Sequence, residues 1–186
     1  MKNIETRYKR ENGSFLIEIK LKEVRQLFNT FDPAPFREKD IDDDAEAYIV
    51  ESVREFSLDT ALKLVIYLPE SSKDEAIHIL PEAIHNYFNY RFNTFNKELR
   101  FVLKRGRISL LIGVMFLFFC ISTGEIIDRF GNGMLMQIIN EGFLISGWVA
   151  MWRPIQIFLY DWWPIRYMGK LYEKISKMPI EMKFIS

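Results

Sequence analysis

Polar and apolar positions alternate with a period of two at the start of the chain and with a period near 3.6 through its middle. In two stretches of the second half they show no period at all. A period of two marks a strand with one buried face, and 3.6 marks a helix. Residues Asn3 to Lys22 alternate on either side of Asn12-Gly13, a pair suited to a two-residue hairpin turn because both positions need positive φ. That turn fixes a register. It pairs Tyr8 with Ile17, Thr6 with Ile19 and Ile4 with Leu21 on one face. On the other it pairs Arg7 with Glu18 and Glu5 with Lys20, opposite charges in both cases.

A short helix is expected over Glu23 to Asn29. Phe31 to Phe36 (FDPAPF) must be extended, because residues before proline avoid the helical region. Asp42 to Phe56 then predicts a helix. Asp42, Asp43 and Asp44 supply its cap and first-turn charge, and Ala45, Ile49, Val53 and Phe56 supply its buried stripe. Ala61 to Leu68 (ALKLVIYL) predicts a strand stopped by Pro69. Strands joined through a helix are most simply parallel neighbours, which leaves the first hairpin strand as the antiparallel edge. From Pro81 a helix with an apolar stripe of Ile84, Phe88, Phe92, Phe95, Leu99 and Val102 can run on without a break. Its opposite stripe is Asn86, Asn89, Asn93, Asn96 and Arg100, read as a wet face in preference to a polar seam between subunits.

The two aperiodic stretches are Ile108 to Ile127 and Met134 to Trp163. Crossing a bilayer takes about 20 apolar residues, so each is long enough, and together they predict a transmembrane helical hairpin. Lys97, Arg100, Lys104, Arg105 and Arg107 precede the first stretch, and Arg166, Lys170, Lys174, Lys177 and Lys183 follow the second. The loop between them, Glu125 to Gly133, carries Arg129 as its one cation. Cations resist translocation, so both termini are expected in the cytoplasm of a plasma (inner) membrane protein. Pro154 and Pro164 bracket IQIFLYDWW, where a bend into the interface is expected because Arg153 would otherwise lie deep in hydrocarbon. The first hundred residues hold no signal-peptide pattern, so the first span is expected to act as an uncleaved insertion signal.

The fold class that follows is α+β or α/β. A small ββαβα cytoplasmic domain over 1–80 (hairpin 3–22, helix 42–56, strand 61–68) precedes a juxtamembrane amphipathic helix over 81–106. The transmembrane hairpin occupies 107–165 and a basic cytoplasmic tail 166–186. The formal net charge of the 186 residues is zero, which argues against nucleic acid as a partner. Cys120 is the single cysteine, so the chain holds no internal disulfide.

Candidate chemistry is sparse. Asp40, Asp42, Asp44, Glu46 and Glu51 have the spacing of a calcium loop, but Ala45 stands where a glycine must turn, and the helix start accounts for them better. His78, Glu82 and His85 would share one helical face as a metal set, unless the helix restarts at Pro81 and separates them. The competing reading is a solvated face, and no cofactor is expected. Ser109, Gly113, Cys120 and Gly124, with Gly142, Ser146 and Ala150, are small residues suited to close packing of the hairpin. Asn140, Glu141 and Arg153 are the intramembrane polar residues; Glu141 and Arg153 lie about 18 Å apart along a straight helix, too far to pair. No phosphate loop, nucleophile elbow or zinc-protease motif is present.

The stretch Leu27 to Glu55, with its Asp32-Pro-x-Pro-Phe36 phrase before an acidic helix start, resembles a family of small bacterial two-span membrane proteins of no established activity. The segment Trp152 to Pro164 resembles it more loosely. The resemblance implies a bacterial membrane protein and carries over no catalytic residue. The phrase itself marks Asp32, Phe36 and Arg37 as an interaction loop, or else as a proline-stiffened loop stapled to the sheet. The function expected is a non-enzymatic assembly, scaffold or regulatory subunit. Its partners would be the lipid bilayer and a second copy or another membrane protein. The alternatives are a membrane-tethered metal-binding enzyme and an oligomeric channel or transporter component.

Overall fold

The computed structural model describes residues 7–29, 32, 39–130 and 133–185. The chain divides into two compact units. One is built from Met1–Phe95 together with Tyr167–Ser186, and the other is Asn96–Arg166.

The first unit is a four-stranded sheet, β1 (Arg10–Glu11), β2 (Ser14–Lys20), β3 (Leu62–Pro69) and β4 (Ile180–Ile185), in spatial order 1-2-3-4. Asn12 and Gly13 have φ of 50° and 83°, the left-handed pair that the sequence called for. The register Arg10 with Phe15 and Glu11 with Ser14 is the one that the turn implies. Its continuation to Thr6, Glu5 and Ile4 lies outside the described residues. The predicted Arg7–Glu18 pair does not form. Arg7 bonds Glu55 at 2.8 Å, and Lys9 takes Glu18 at 2.9 Å, because β1 pairs over only two residues.

β2 and β3 are parallel, as expected, and so are β3 and β4. The fourth strand corrects the reading of 166–186 as a basic tail. Alternate residues Ile180, Met182 and Phe184 pack against the core, which makes Ile180–Ile185 a half-buried strand.

Helix α1 (Asp43–Arg54) connects β2 to β3, and Asp42 caps it by accepting from the Asp44 amide at 3.1 Å. The predicted helix before it is a single 3-10 turn, Val24–Leu27. Helix α2 (Lys73–Phe130) begins eight residues before Pro81 and passes through it, so the expected restart at that proline does not occur. Pro81 offers no N–H to the carbonyl of Ile77, but Ile77 is exposed and water can serve that group. Helix α4 (Trp162–Ser176) brings the chain back into the sheet. Ile49 and Val53 of α1, Leu80, Ile84 and Phe88 of α2, and Leu171 and Ile175 of α4 join Ile17, Leu64, Ile66 and Leu68 in one core. All the helices of this unit therefore pack on the same face of the sheet.

The other face carries Glu18, Lys20, Lys63, Tyr67, Glu181 and Lys183 in cross-strand rows. Lys63 bonds Glu181 at 2.8 Å, and the Tyr67 hydroxyl donates to Glu18 at 2.6 Å. Lys183 of β4 also meets Glu11 of β1 at 3.5 Å. These two long side chains reach over β2 and β3 across the open face of the sheet. Val65 and Leu16, on this face, are buried without belonging to the helix-side core.

The second unit is a helical hairpin of the later part of α2 and helix α3 (Met134–Gln156), followed by a π-helical turn, Ile157–Asp161. Pro154 lies inside α3, and helical hydrogen bonding runs on into the π turn; a proline and a π turn are the places where a continuous helix kinks. Arg153 has local partners. Its guanidinium meets Asp161 at 3.7 Å and Gln156 at 3.3 Å.

Candidate functional site

A charged residue sits in the core of the first unit. Glu46 occupies the position one turn before Ile49 and Val50 on the buried stripe of α1, and it is 8% exposed. A carboxylate there needs partners, since an isolated buried charge is costly. It has three. Its Oε1 accepts from the Tyr172 hydroxyl of α4 at 2.5 Å and from Arg91 Nε of α2 at 3.1 Å. Its Oε2 accepts from the Tyr87 hydroxyl of α2. Phe95 stacks on Tyr172 at 5.0 Å, and the Arg91 guanidinium lies 5.5 Å from that ring. The cluster thus ties three helices through one carboxylate. Burial, then the Glu46 carboxylate, pushes the phenols of Tyr87 and Tyr172 above the ordinary tyrosine range. Both oxygens of Glu46 are engaged, and the arrangement is a buried latch between the helices.

The residues singled out from the sequence fall elsewhere. The calcium spacing dissolves into the helix start: Asp42 caps α1, and Glu46 points into the latch. His78, Glu82 and His85 do share one uninterrupted helix, α2, yet they are not assembled as ligands. His78 is exposed, while His85 is turned to the α4–β4 junction, where Nε2 lies 3.0 Å from the Met178 carbonyl. A carbonyl only accepts, so that nitrogen carries the proton and cannot ligate. Among the described residues no group of three or more His, Cys, Asp or Glu is arranged to hold a metal ion. The candidate loop is clamped at its base by Asn29 N–H to Asp40 carbonyl (2.9 Å) and Asp42 N–H to Leu27 carbonyl (2.9 Å). Asp32 accepts from the Asp40 amide at 2.7 Å; Phe36 and Arg37 lie outside the described residues. Asn86, Asn89 and Asn93 are exposed.

In the hairpin, small residues make the close approaches. A Cβ on Gly113 would meet the Ala150 carbonyl oxygen at 3.2 Å, and one on Gly147 would meet Leu117 Cδ1 at 2.7 Å and Cys120 Cβ at 3.3 Å. The amide of Asn140 fills the space beside Gly124. The expected contact face of α3 is corrected by this. Gly147 and Ala150 face α2, whereas Gly142 has open space around it and Ser146 is exposed. Glu141 is exposed as well.

Both α2 and the helical run Met134–Ser176 are long and apolar enough to cross a membrane. Only 17% of the first apolar stretch and 6% of the second is buried. The core helix of a water-soluble domain would be mostly buried, so these helices show their apolar side chains outward.

Comparison with family models, with curated proteins and with solved structures gives no match to this chain.

Proposed function

We propose that this chain is a plasma-membrane protein in which α2 and α3 cross the bilayer and the α/β unit is a cytoplasmic module for assembly or regulation, without catalytic chemistry of its own. The observation that carries this reading is the outward display of apolar side chains along both helices of the hairpin. Leu111, Met115, Phe118, Ile145, Val149 and Trp152 are each more than half exposed, a surface that lipid covers at no cost and water does not. The two flanks of the hairpin fold into one sheet, which supports placing both on one side of the bilayer. The cations before and after the hairpin support the cytoplasmic side. The resemblance carried by the Asp32 to Phe36 phrase points to a bacterial membrane in the same way.

The partner is a second copy or another membrane protein. An ionisable side chain within a span faces protein or water more readily than lipid, and Glu141 is exposed on α3. The latch supports a rigid module. Among the described residues no metal set supports an enzyme.

Topology is tested with Asn132→Cys in a Cys120→Ser background. A membrane-impermeant maleimide should label it in intact cells; labelling only after lysis would overturn the orientation. Native mass spectrometry of the gently extracted complex then tests assembly. A homo-oligomer or a stoichiometric second protein supports the reading, and a monomer alone contradicts it.

A further inference from the structure

Four cations form a stripe on the part of α2 that belongs to the second unit. Lys97, Arg100, Lys104 and Arg107 follow one another at intervals of three, four and three residues, and all four are exposed. At 100° per residue they fall within an arc of about 80°, over a rise of about 15 Å. None of them forms an ion pair among the described residues. Arg107 has one local bond, from Nε to the Leu103 carbonyl at 3.4 Å. Arg105 adds a fifth exposed cation nearby, and Glu98 is the single acid from Asn96 to Arg107. The same arc then continues into Leu111, Met115 and Phe118, so one helix face passes directly from cationic to apolar.

A second observation puts interfacial aromatics beside the C-terminal end of the stripe. Behind the stripe, a Cβ on Gly106 would meet Ile157 Cγ2 at 2.7 Å and the Phe158 ring at 3.2 Å, which sets this part of α2 beside the π turn. Within six residues of that contact the returning helix exposes Tyr160 and Trp163, and the Arg166 guanidinium lies 5.7 Å from the Trp162 ring. Tyrosine and tryptophan settle at the headgroup level of a bilayer. Arg107, Lys104 and, one turn further, Arg100 therefore share an interfacial band with the aromatics of the neighbouring helix, and Lys97 stands about 14 Å along the axis from Gly106.

We propose that the Lys97, Arg100, Lys104 and Arg107 face binds the phosphates of anionic phospholipids, and that the protein selects such lipids from a mixed bilayer. This rests on the reading that the hairpin spans a membrane. Charge complementarity names the occupant: unpaired cations beside hydrocarbon meet phosphodiester groups, and zwitterionic headgroups offset them with their own cation. Arg100 and Arg107 present forks suited to two phosphate oxygens, and the two lysines act as point charges. Each such cation near an anionic surface contributes about fivefold in affinity.

The test uses the full chain reconstituted in vesicles of phosphatidylcholine and of equal parts phosphatidylcholine and phosphatidylglycerol. Lipids retained on the extracted protein are counted by native mass spectrometry. The wild type should retain phosphatidylglycerol several-fold over its share of the bilayer, and less so in high salt. The combined variant Lys97→Gln, Arg100→Gln, Lys104→Gln, Arg107→Gln should lose the preference. The charge-keeping variant Lys97→Arg, Lys104→Arg should keep it, which separates charge from folding. Equal retention of both lipids by the wild type, or unchanged enrichment in the glutamine variant, would overturn the inference while leaving the span intact. Release of the wild type from both vesicle types by alkaline carbonate would instead overturn the membrane reading beneath it.

Discussion

Glu46 stands where an apolar side chain would extend the Ile49–Val53 stripe by one turn, and its charge makes three helices mutually dependent. Removing it leaves two phenols and a guanidinium without their acceptor. Glu46→Ala should lower unfolding stability by about 3 kcal/mol, and Tyr87→Phe by about 1–2 kcal/mol, read from thermal melts of far-UV circular dichroism in detergent. The pH dependence has a definite sign. Tyr87 and Tyr172 have folded pKa values raised above 10.0, so they favour the folded state fully below that pH. That contribution falls as the unfolded phenols ionise above it. Absorbance at the phenolate band should therefore show these two tyrosines un-ionised through pH 10, appearing only as the unit unfolds. Normal titration of every tyrosine in the native protein would refute this. The latch was visible in the sequence only as a carboxylate on a core stripe. Nothing in the order of residues says that Tyr172, 126 positions away, would meet it.

Elements with a strong local signal were legible. Asn12-Gly13 needs left-handed backbone, and only one strand register follows from it; Asp42 caps α1 because its side chain reaches the Asp44 amide. Elements decided by remote contacts were not. Ile180 to Ile185 alternates apolar and charged residues as a strand should, but its lysine was counted as part of a basic tail because its partner, β3, lies far back in the chain. Pro81 reads as a helix break from local sterics, and packing of Ala76 and Leu80 before it and Ala83 and Ile84 after it holds the helix through. In the hairpin, spacing alone could not tell which small residues face inward. Gly147→Ala forces a Cβ toward Leu117 and should destabilise the hairpin by about 1–3 kcal/mol, whereas Gly142→Ala should be close to neutral. Unfolding of the two variants in detergent, followed by tryptophan fluorescence, compares them directly.

At the scale of the whole molecule, the α/β unit is discontinuous: the chain leaves it after Phe95 and returns at Tyr167. Strand β4 pairs with β3 at the end of the strand order, and its Met182 lies opposite Ile66 on the core side of the sheet. Met182→Asp should therefore expose the first unit to protease, while the apolar hairpin still resists carbonate extraction. Parallel loss of both would mean that the two units do not fold separately. The charged open face predicts a milder effect, since Lys63 and Glu181 are partly solvated and an exposed pair contributes about 0–1 kcal/mol.

The insertion of a hairpin between β3 and β4 also sets an order of events during synthesis. Roughly 110 residues separate these neighbouring strands, a long closure that cannot begin until the last of them has left the ribosome. Until then β3 presents an unpaired edge to the surrounding proteins. By the time Ile180 emerges, both apolar helices have already been handed to whatever receives them. Completion of the sheet is thus a late step in folding. Until β4 docks, Leu64–Pro69 of β3 keeps an open edge that any extended segment can pair with.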